Sequence, residues 1–139
     1  MNFELAKEKA IKYIAISKKT KYEVRVKLQK LGAQESVIEE VIEYLSNLNY
    51  LNDDEYVDAY IRQCMRLLNY SIYEIKNKLL QKGIDKYIIE EKLYKLEDTN
   101  YEKKLVEKLL NGKLKSQDEL KKRQYLYRRG LKYNNFEEI

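Results

Sequence analysis

The sequence predicts an all-α protein built as three tandem three-helix repeats, helix-turn-helix-like units stacked into an elongated array. Three observations carry that expectation. Proline is absent, glycine is confined to Gly32, Gly83, Gly112 and Gly130, and no run of alternating apolar and polar residues persists, so strands have little support. A capping signature recurs: Thr20-Lys21-Tyr22-Glu23-Val24 leads to Leu31-Gly32, Ser71-Ile72-Tyr73-Glu74-Ile75 to Lys82-Gly83, and Ser116-Gln117-Asp118-Glu119-Leu120 to Arg129-Gly130. In each, a hydroxyl can accept from the free amides of a first helical turn, the Glu three residues on can reach back to the cap amide, and the closing glycine supplies a left-handed cap. The glycines fall 51 and 47 residues apart, room for about three helices of ordinary length per repeat.

The repeats are expected over residues 1–51, 52–98 and 99–139, with nine helices in all. A first helix from Phe3 to Ser17 carries Ala6, Ala10, Ile11 and Ile14 on one stripe; the second runs from its Thr20 cap to Leu31 with Val24, Leu28 and Leu31 as its buried edge; the third, Gln34 to Leu48, buries Ile38, Val41, Ile42 and Leu45. After the turn Asn49-Tyr50-Leu51-Asn52, Asp53 is the expected N-cap of a helix that turns Tyr56, Val57, Tyr60, Ile61, Cys64 and Leu68 inward. Ile72, Ile75 and Leu79 follow on the next helix, and Ile88, Ile89, Leu93 and Leu96 on one begun by Asp85. The third set opens with Leu105, Val106, Leu109 and Leu110. Its middle helix sets Leu120, Tyr127 and Leu131 on one face with Leu126 elsewhere, and holds two residues more between Glu119 and Gly130 than the other copies. A final helix of a turn or two ends in Phe136 and Ile139.

Histidine is absent, which removes the usual zinc ligand and the usual general base. The four glycines stand far apart, so no phosphate-cradling loop exists, and Cys64, the single cysteine, reads as a small buried hydrophobe without a partner to activate it. Asp53-Asp54-Glu55 opens a helix, where negative charge complements the dipole, and Glu90-Glu91 falls on a solvated face. No enzyme, no cofactor and no metal is therefore expected. No apolar stretch approaches the roughly 20 residues that span a bilayer. Residues 1–12 are too charged for a signal peptide, so a cytoplasmic location is expected.

Charge is uneven. Net charge is +2 over residues 1–50, −2 over 51–99 and +5 over 100–139. Lys18, Lys19, Lys21 and Arg25 cluster at the first turn, and Lys113, Lys115, Lys121, Lys122, Arg123, Arg128, Arg129 and Lys132 form a second, denser group suited to a polyanion or an acidic protein groove. Tyrosine supplies 14 of the 16 aromatics. Tyr13, Tyr44, Tyr56, Tyr60 and Tyr94 lie at or beside core positions, while Tyr125, Tyr127 and Tyr133 interleave with the C-terminal cations, as base stacking would need.

Tyr50-Leu51-Asn52-Asp53-Asp54-Glu55-Tyr56, then Tyr60-Ile61-Arg62, Ile75 with Leu79, Lys82-Gly83-Ile84 and Arg128-Arg129-Gly130-Leu131 resemble the regulatory protein RecX family over almost the whole chain. The resemblance implies a curved array of three-helix repeats that binds the RecA recombinase, lodges in the groove of its filament on DNA and inhibits strand exchange, ATP hydrolysis and co-protease activity. It implies roles in DNA repair, recombination and the SOS response, and adds Arg62 and Arg66 to the contact residues. A monomer touching DNA only weakly is expected.

The chain departs from the family pattern in places. Ser71-Ile72 stands where many relatives have a Gly, often followed by Pro; Glu74 occupies a commonly basic position; Lys122 and Arg123 fall where the family is often apolar. A stand-alone helical nucleic-acid binder, presenting a recognition helix to the major groove, is the alternative reading.

Overall fold

A computed structural model describes residues 1–97 and 99–132. Eight helices occur among them: α1 Phe3–Ile16, α2 Lys21–Lys30, α3 Glu35–Asn47, α4 Asp53–Leu67, α5 Ile72–Gln81, α6 Lys86–Glu97, α7 Tyr101–Asn111 and α8 Glu119–Arg128, with no strand among the described residues. The short last helix expected near Phe136 and Ile139 lies outside the described residues. Packing is local. α1, α2 and α3 pack on one another, α4, α5 and α6 do the same, and α6 meets α7.

Three separate cores follow. The first joins Ala6, Ala10, Val24, Leu28, Ile38, Val41, Ile42 and Leu45; the second joins Val57, Ile61, Cys64, Ile75, Leu79, Ile89, Leu93 and Leu96; the third joins Leu105, Val106, Leu109, Leu114, Leu126 and Leu131. Each fully buried aliphatic side chain contributes about 1.5 to 3 kcal/mol. The first two cores each also take in a residue from the stretch that follows: Leu51 closes the first and Tyr101 the second. The Tyr101 hydroxyl donates to the backbone carbonyl of Tyr70 and lies 3.3 Å from that of Cys64.

The capping boxes at Thr20 and Ser71 form as expected. Thr20 Oγ1 accepts from the Glu23 amide at 3.2 Å and Ser71 Oγ from the Glu74 amide at 3.1 Å, while each Glu accepts from its cap's amide at 2.9 Å. The third copy differs. Its cap is Asp118, whose Oδ1 accepts from the Lys121 amide at 2.9 Å, and Ser116 lies in the preceding loop. With Asp118 as cap, all three middle helices span ten residues and the cap stands twelve before its glycine each time, so no residues are inserted in the third helix. The extra length sits before it, in residues 112–117, where the other repeats have only 17–19 and 68–70.

That register reassigns the buried face. Leu126, eight residues after its cap like Leu28 and Leu79, is fully buried, whereas Leu120 is 66% and Tyr127 83% exposed. Leu31, Ile11 and Tyr94 also lie outside the core, Leu31 because it falls past the last helical turn. Asn52, rather than Asp53, caps α4, its Oδ1 accepting from the Glu55 amide at 3.0 Å.

Asp53 is then free for a different task, and the same set of contacts appears twice. Its Oδ1 accepts from the Lys21 amide at 3.1 Å, and Glu102 Oε2 accepts from the Ile72 amide at 3.1 Å, so the first amide of a middle helix is bound by the start of the following repeat. Burial pushes both carboxyls above the ordinary range, against the pull of those amides. Thr20 Oγ1 donates to the Lys82 carbonyl at 2.7 Å, and Ser71 Oγ to the Arg129 carbonyl. Glu23 pairs with Lys82 at 3.4 Å, and Glu74 with Arg129 at 2.7 Å. Finally, a Cβ on Gly83 would overlap the Tyr22 ring, and one on Gly130 would sit 2.7 Å from Cβ of Tyr73, so each tyrosine rests on a bare glycine of the next repeat.

Candidate interaction surface

The basic residues divide by what their charges already bind. Arg25 is committed internally: its guanidinium pairs with Glu35 and Glu39 of α3, and the Glu39 hydrogen bond raises its pKa against the cost of burial. Arg129 is committed more deeply. Its side chain is 16% exposed, Nε lies 3.1 Å from both Glu74 carboxylate oxygens, Nη2 lies 2.7 Å from one of them, and Nη2 also donates to the Asn69 carbonyl. Burial works against ionisation of Glu74, but Arg129 outweighs it and holds the carboxyl below its usual range. The expectation that Arg129 is an open contact residue is therefore corrected: it clamps the second and third repeats. Lys122 is half-buried beside Glu119 at 3.6 Å, taking the place that Val24 and Ile75 hold in α2 and α5.

The remaining C-terminal cations lie outward. Lys113 and Lys115 are exposed in the 112–117 loop, Lys121, Arg123 and Arg128 on α8, and Lys132 just beyond it. Lys113 Nζ stands 4.7 Å from the Tyr125 ring centre and the Arg129 guanidinium 5.8 Å from it. Burial raises the Tyr125 hydroxyl, yet hydrogen bonds and charge from Lys113 and Arg129 bring it below its ordinary pKa. Tyr125 is thus held by cations, Tyr127 projects outward, and Tyr133 lies outside the described residues.

The N-terminal group is split by the turn. Lys18 and Lys19 line a cleft of about 340 Å³ between the first two repeats, with Glu23, Tyr56, Tyr60, Gln63 and Lys82. Tyr56 and Tyr60 stack at 6.3 Å and 16° there. Lys19 Nζ also lies 4.7 Å from the Tyr13 ring centre, while the Lys21 side chain is exposed. Arg62 and Arg66, one turn apart, share the exposed face of α4; Arg62 borders a hollow of about 220 Å³ with Asp58, Met65, Lys92 and Lys95. Among the described residues, no hydrogen bond, ion pair or ring contact joins the α4 pair or the N-terminal group to the α8 cations.

Cys64 is buried, and burial pushes its thiol up to about 11, which keeps it protonated and unreactive. No cluster of metal-ligating side chains occurs among the described residues, and no helix there is long and apolar enough to cross a membrane. Sequence reasoning missed Lys82 and Tyr101, the one because it sat beside a glycine taken only as a helix stop, the other because its partners lie 31 and 37 residues away.

Fold and surface together define a tandem helical-repeat protein that presents charged faces from linked three-helix units. Two family models match it, described as the first and second three-helix domains of RecX, over residues 6–45 and 52–93. The chain is 34% identical to the regulatory protein RecX of Clostridium acetobutylicum, over 99% of this chain and 68% of that protein. It is 37% identical to RecX of Clostridium perfringens, over 91% of this chain and 60% of that one. The crystal structure of RecX from Lactobacillus salivarius matches with a TM-score of 0.79 at 28% identity, covering 97% of this chain and 92% of that one. The chain belongs to the RecX family of regulatory proteins.

Proposed function

We propose that the chain binds the RecA recombinase on DNA and restrains it, lowering ATP hydrolysis, strand exchange and co-protease activity in the cytoplasm during DNA repair, recombination and the SOS response. The observation that carries this is the outward set Lys113, Lys115, Lys121, Arg123, Arg128 and Lys132, on a member of a regulatory family, displayed on a rigid base that Arg129 and Glu74 hold. Three units, 1–51, 52–98 and 99–139, act as one monomeric ruler along neighbouring protomers, with Lys18, Lys19, Lys21, Arg62 and Arg66 as secondary contacts and no catalytic step of its own.

The test is a titration of DNA-stimulated ATP hydrolysis by the matching RecA. Inhibition at substoichiometric protein is expected, and no effect at equimolar protein sinks the proposal. Replacing Lys121, Arg123, Arg128 and Lys132 by Glu weakens inhibition while helix content holds, because all four are exposed. The cleft with stacked Tyr56 and Tyr60 favours some direct contact with single-stranded DNA. Tight, salt-resistant DNA binding without RecA would make that contact the primary function instead.

A further inference from the structure

The face of the second repeat that receives the first has a counterpart on the first repeat itself, and there it is open. Adding 51 to a residue of the first repeat gives its equivalent in the second, as Thr20 to Ser71 and Gly32 to Gly83 show. Tyr60, Gln63 and Lys82 of the second repeat line the cleft against Ser17, Lys18 and Glu23, and Gly83 carries the Tyr22 ring. Their equivalents are Lys9, Lys12, Leu31 and Gly32. A Cβ built on Gly32 meets nothing within 4 Å.

The chemistry of this open face has been changed from that of the inner junctions. The cation that pairs with a junction glutamate, Lys82 or Arg129, is Leu31 here, 39% exposed. The junction acid, Asp53, has Asn2 as its equivalent, whose Oδ1 is used at 2.9 Å on the Leu5 amide of its own helix. In their place lies a hollow of about 260 Å³ between α1 and α2, walled by Tyr13, Ile16 and Leu31 and rimmed by Lys9, Lys12 and Lys27. Ile16 is 81% exposed at its edge. The acid nearest the rim on α1, Glu8, pairs with Lys12 at 3.2 Å, and Glu23 on α2 is taken by Thr20 and Lys82.

We propose that this open face of the first repeat is a docking face for a partner protein's acidic helix start carrying an aromatic residue in its first turn. The aromatic ring lies over Gly32 and against Leu31 and Ile16, as Tyr22 lies over Gly83 and Tyr73 over Gly130, and the acidic first turn meets Lys9, Lys12 and Lys27. Acidic residues are favoured at helix N-termini in any case, so the partner's helix and the lysine rim select the same feature. A second copy of this chain is a poor occupant. Its α8 start offers Lys121 to the lysines, and the Asp118 carboxylate has no proton to donate to the Leu31 carbonyl, where Thr20 and Ser71 donate in the inner junctions. The proposal is independent of the α8 surface and of the recombinase reading.

The probe is a 16-residue helical peptide beginning Ser-Asp-Tyr-Glu, titrated into the full chain with backbone amide resonances followed by NMR. Saturable shifts at Leu31, Gly32 and Ile16 are expected. Changing the peptide's Tyr to Ala weakens binding about thirtyfold, as loss of an aromatic anchor does. Neutralising the peptide's acids, or replacing Lys9 and Lys12 of the protein by Glu, weakens it about tenfold, with helix content unchanged. Three results overturn the proposal: shifts confined to α8, equal binding by the Ala peptide, or head-to-tail self-association of the chain in sedimentation equilibrium.

Discussion

Ser71→Ala tests the junction more sharply than any change of charge, because one hydroxyl does two jobs there. Ser71 is fully buried; its oxygen accepts from the Glu74 amide at 3.1 Å and its proton goes to the Arg129 carbonyl. Losing the cap costs about 1 kcal/mol. Losing the second bond leaves a part-buried carbonyl unsatisfied, which adds about 1 to 2 kcal/mol. The expected loss is therefore about 2 to 3 kcal/mol. Asp118→Ala is the control, since exposed Asp118 caps α8 with an acceptor and donates to nothing, and its loss should be about 1 kcal/mol. Thr20→Ala repeats the Ser71 experiment at the first junction, where the hydroxyl donates to the Lys82 carbonyl at 2.7 Å. Urea unfolding followed by circular dichroism at unchanged slope gives the three values. Equal losses for Ser71→Ala and Asp118→Ala would refute the reasoning, because they would leave the inter-repeat bond with no energetic role.

Glycine substitutions separate strain from contact. Gly32→Ala meets open space and pays only for the left-handed backbone at φ 91°, about 1 to 2 kcal/mol, whereas Gly83→Ala also drives a Cβ into Tyr22 and should lose about 1 to 3 kcal/mol more; thermal unfolding compares them, and identical melting shifts would mean that Tyr22 yields without cost. Glu74 has a folded-state pKa below its unfolded value, so its contribution is present above the ordinary carboxylate range and is lost as pH falls through the folded pKa. The stability gap between the parent and Glu74→Gln should accordingly be wide at neutral pH and narrow in acid, and a gap independent of pH would remove the ion pair with Arg129 from the account. Glu102 and Asp53, raised by burial, act in the opposite sense, so each replaced by its amide should gain relative stability as pH rises through the carboxylate range.

Local signals carried far in this chain. A hydroxyl three residues before a glutamate, and a glycine twelve beyond the hydroxyl, place α2 and α5 to the residue, because cap and stop act within one helix. The same logic misplaced α8: Ser116 with Glu119 spells the same pattern, but Asp118 accepts as well as serine does, and the constant distance from cap to glycine was the stronger guide. One shifted cap was enough to exchange the buried Leu126 for the exposed Leu120 and Tyr127. Contacts between repeats were illegible for another reason. Arg129 sits in a run of cations, and only the fold brings Glu74, 55 residues away, to face it; within the first repeat, Arg25 is likewise claimed by Glu35 and Glu39 of the following helix, α3. A count of cations therefore overstates the open charge wherever helix packing, within a repeat or between repeats, brings acids to face them.

The junctions also account for where positive charge accumulates. In the first two copies the third residue after the cap is bound twice, to its own cap's amide and to a cation of the next repeat, so Glu23 and Glu74 must be acidic. Likewise the second residue must be flat enough to lie on a glycine, and both are tyrosine. In the third copy these positions are Lys121 and Leu120, both exposed, and the cap is an acceptor with no proton to pass on. Neither reciprocal constraint is seen at α8 among the described residues, and the helix carries Lys121 where α2 and α5 carry the junction glutamate and Lys122 where they carry an apolar core edge. Restoring the junction set at this end, with Asp118→Ser, Leu120→Tyr and Lys121→Glu together, would keep a cap on α8 while removing one exposed cation and moving one acid from position 118 to 121, a net charge change of −1. If α8 serves as a charged binding face, that triple variant stays folded and binds polyanions more weakly; if its charge is merely solvating, binding is unchanged.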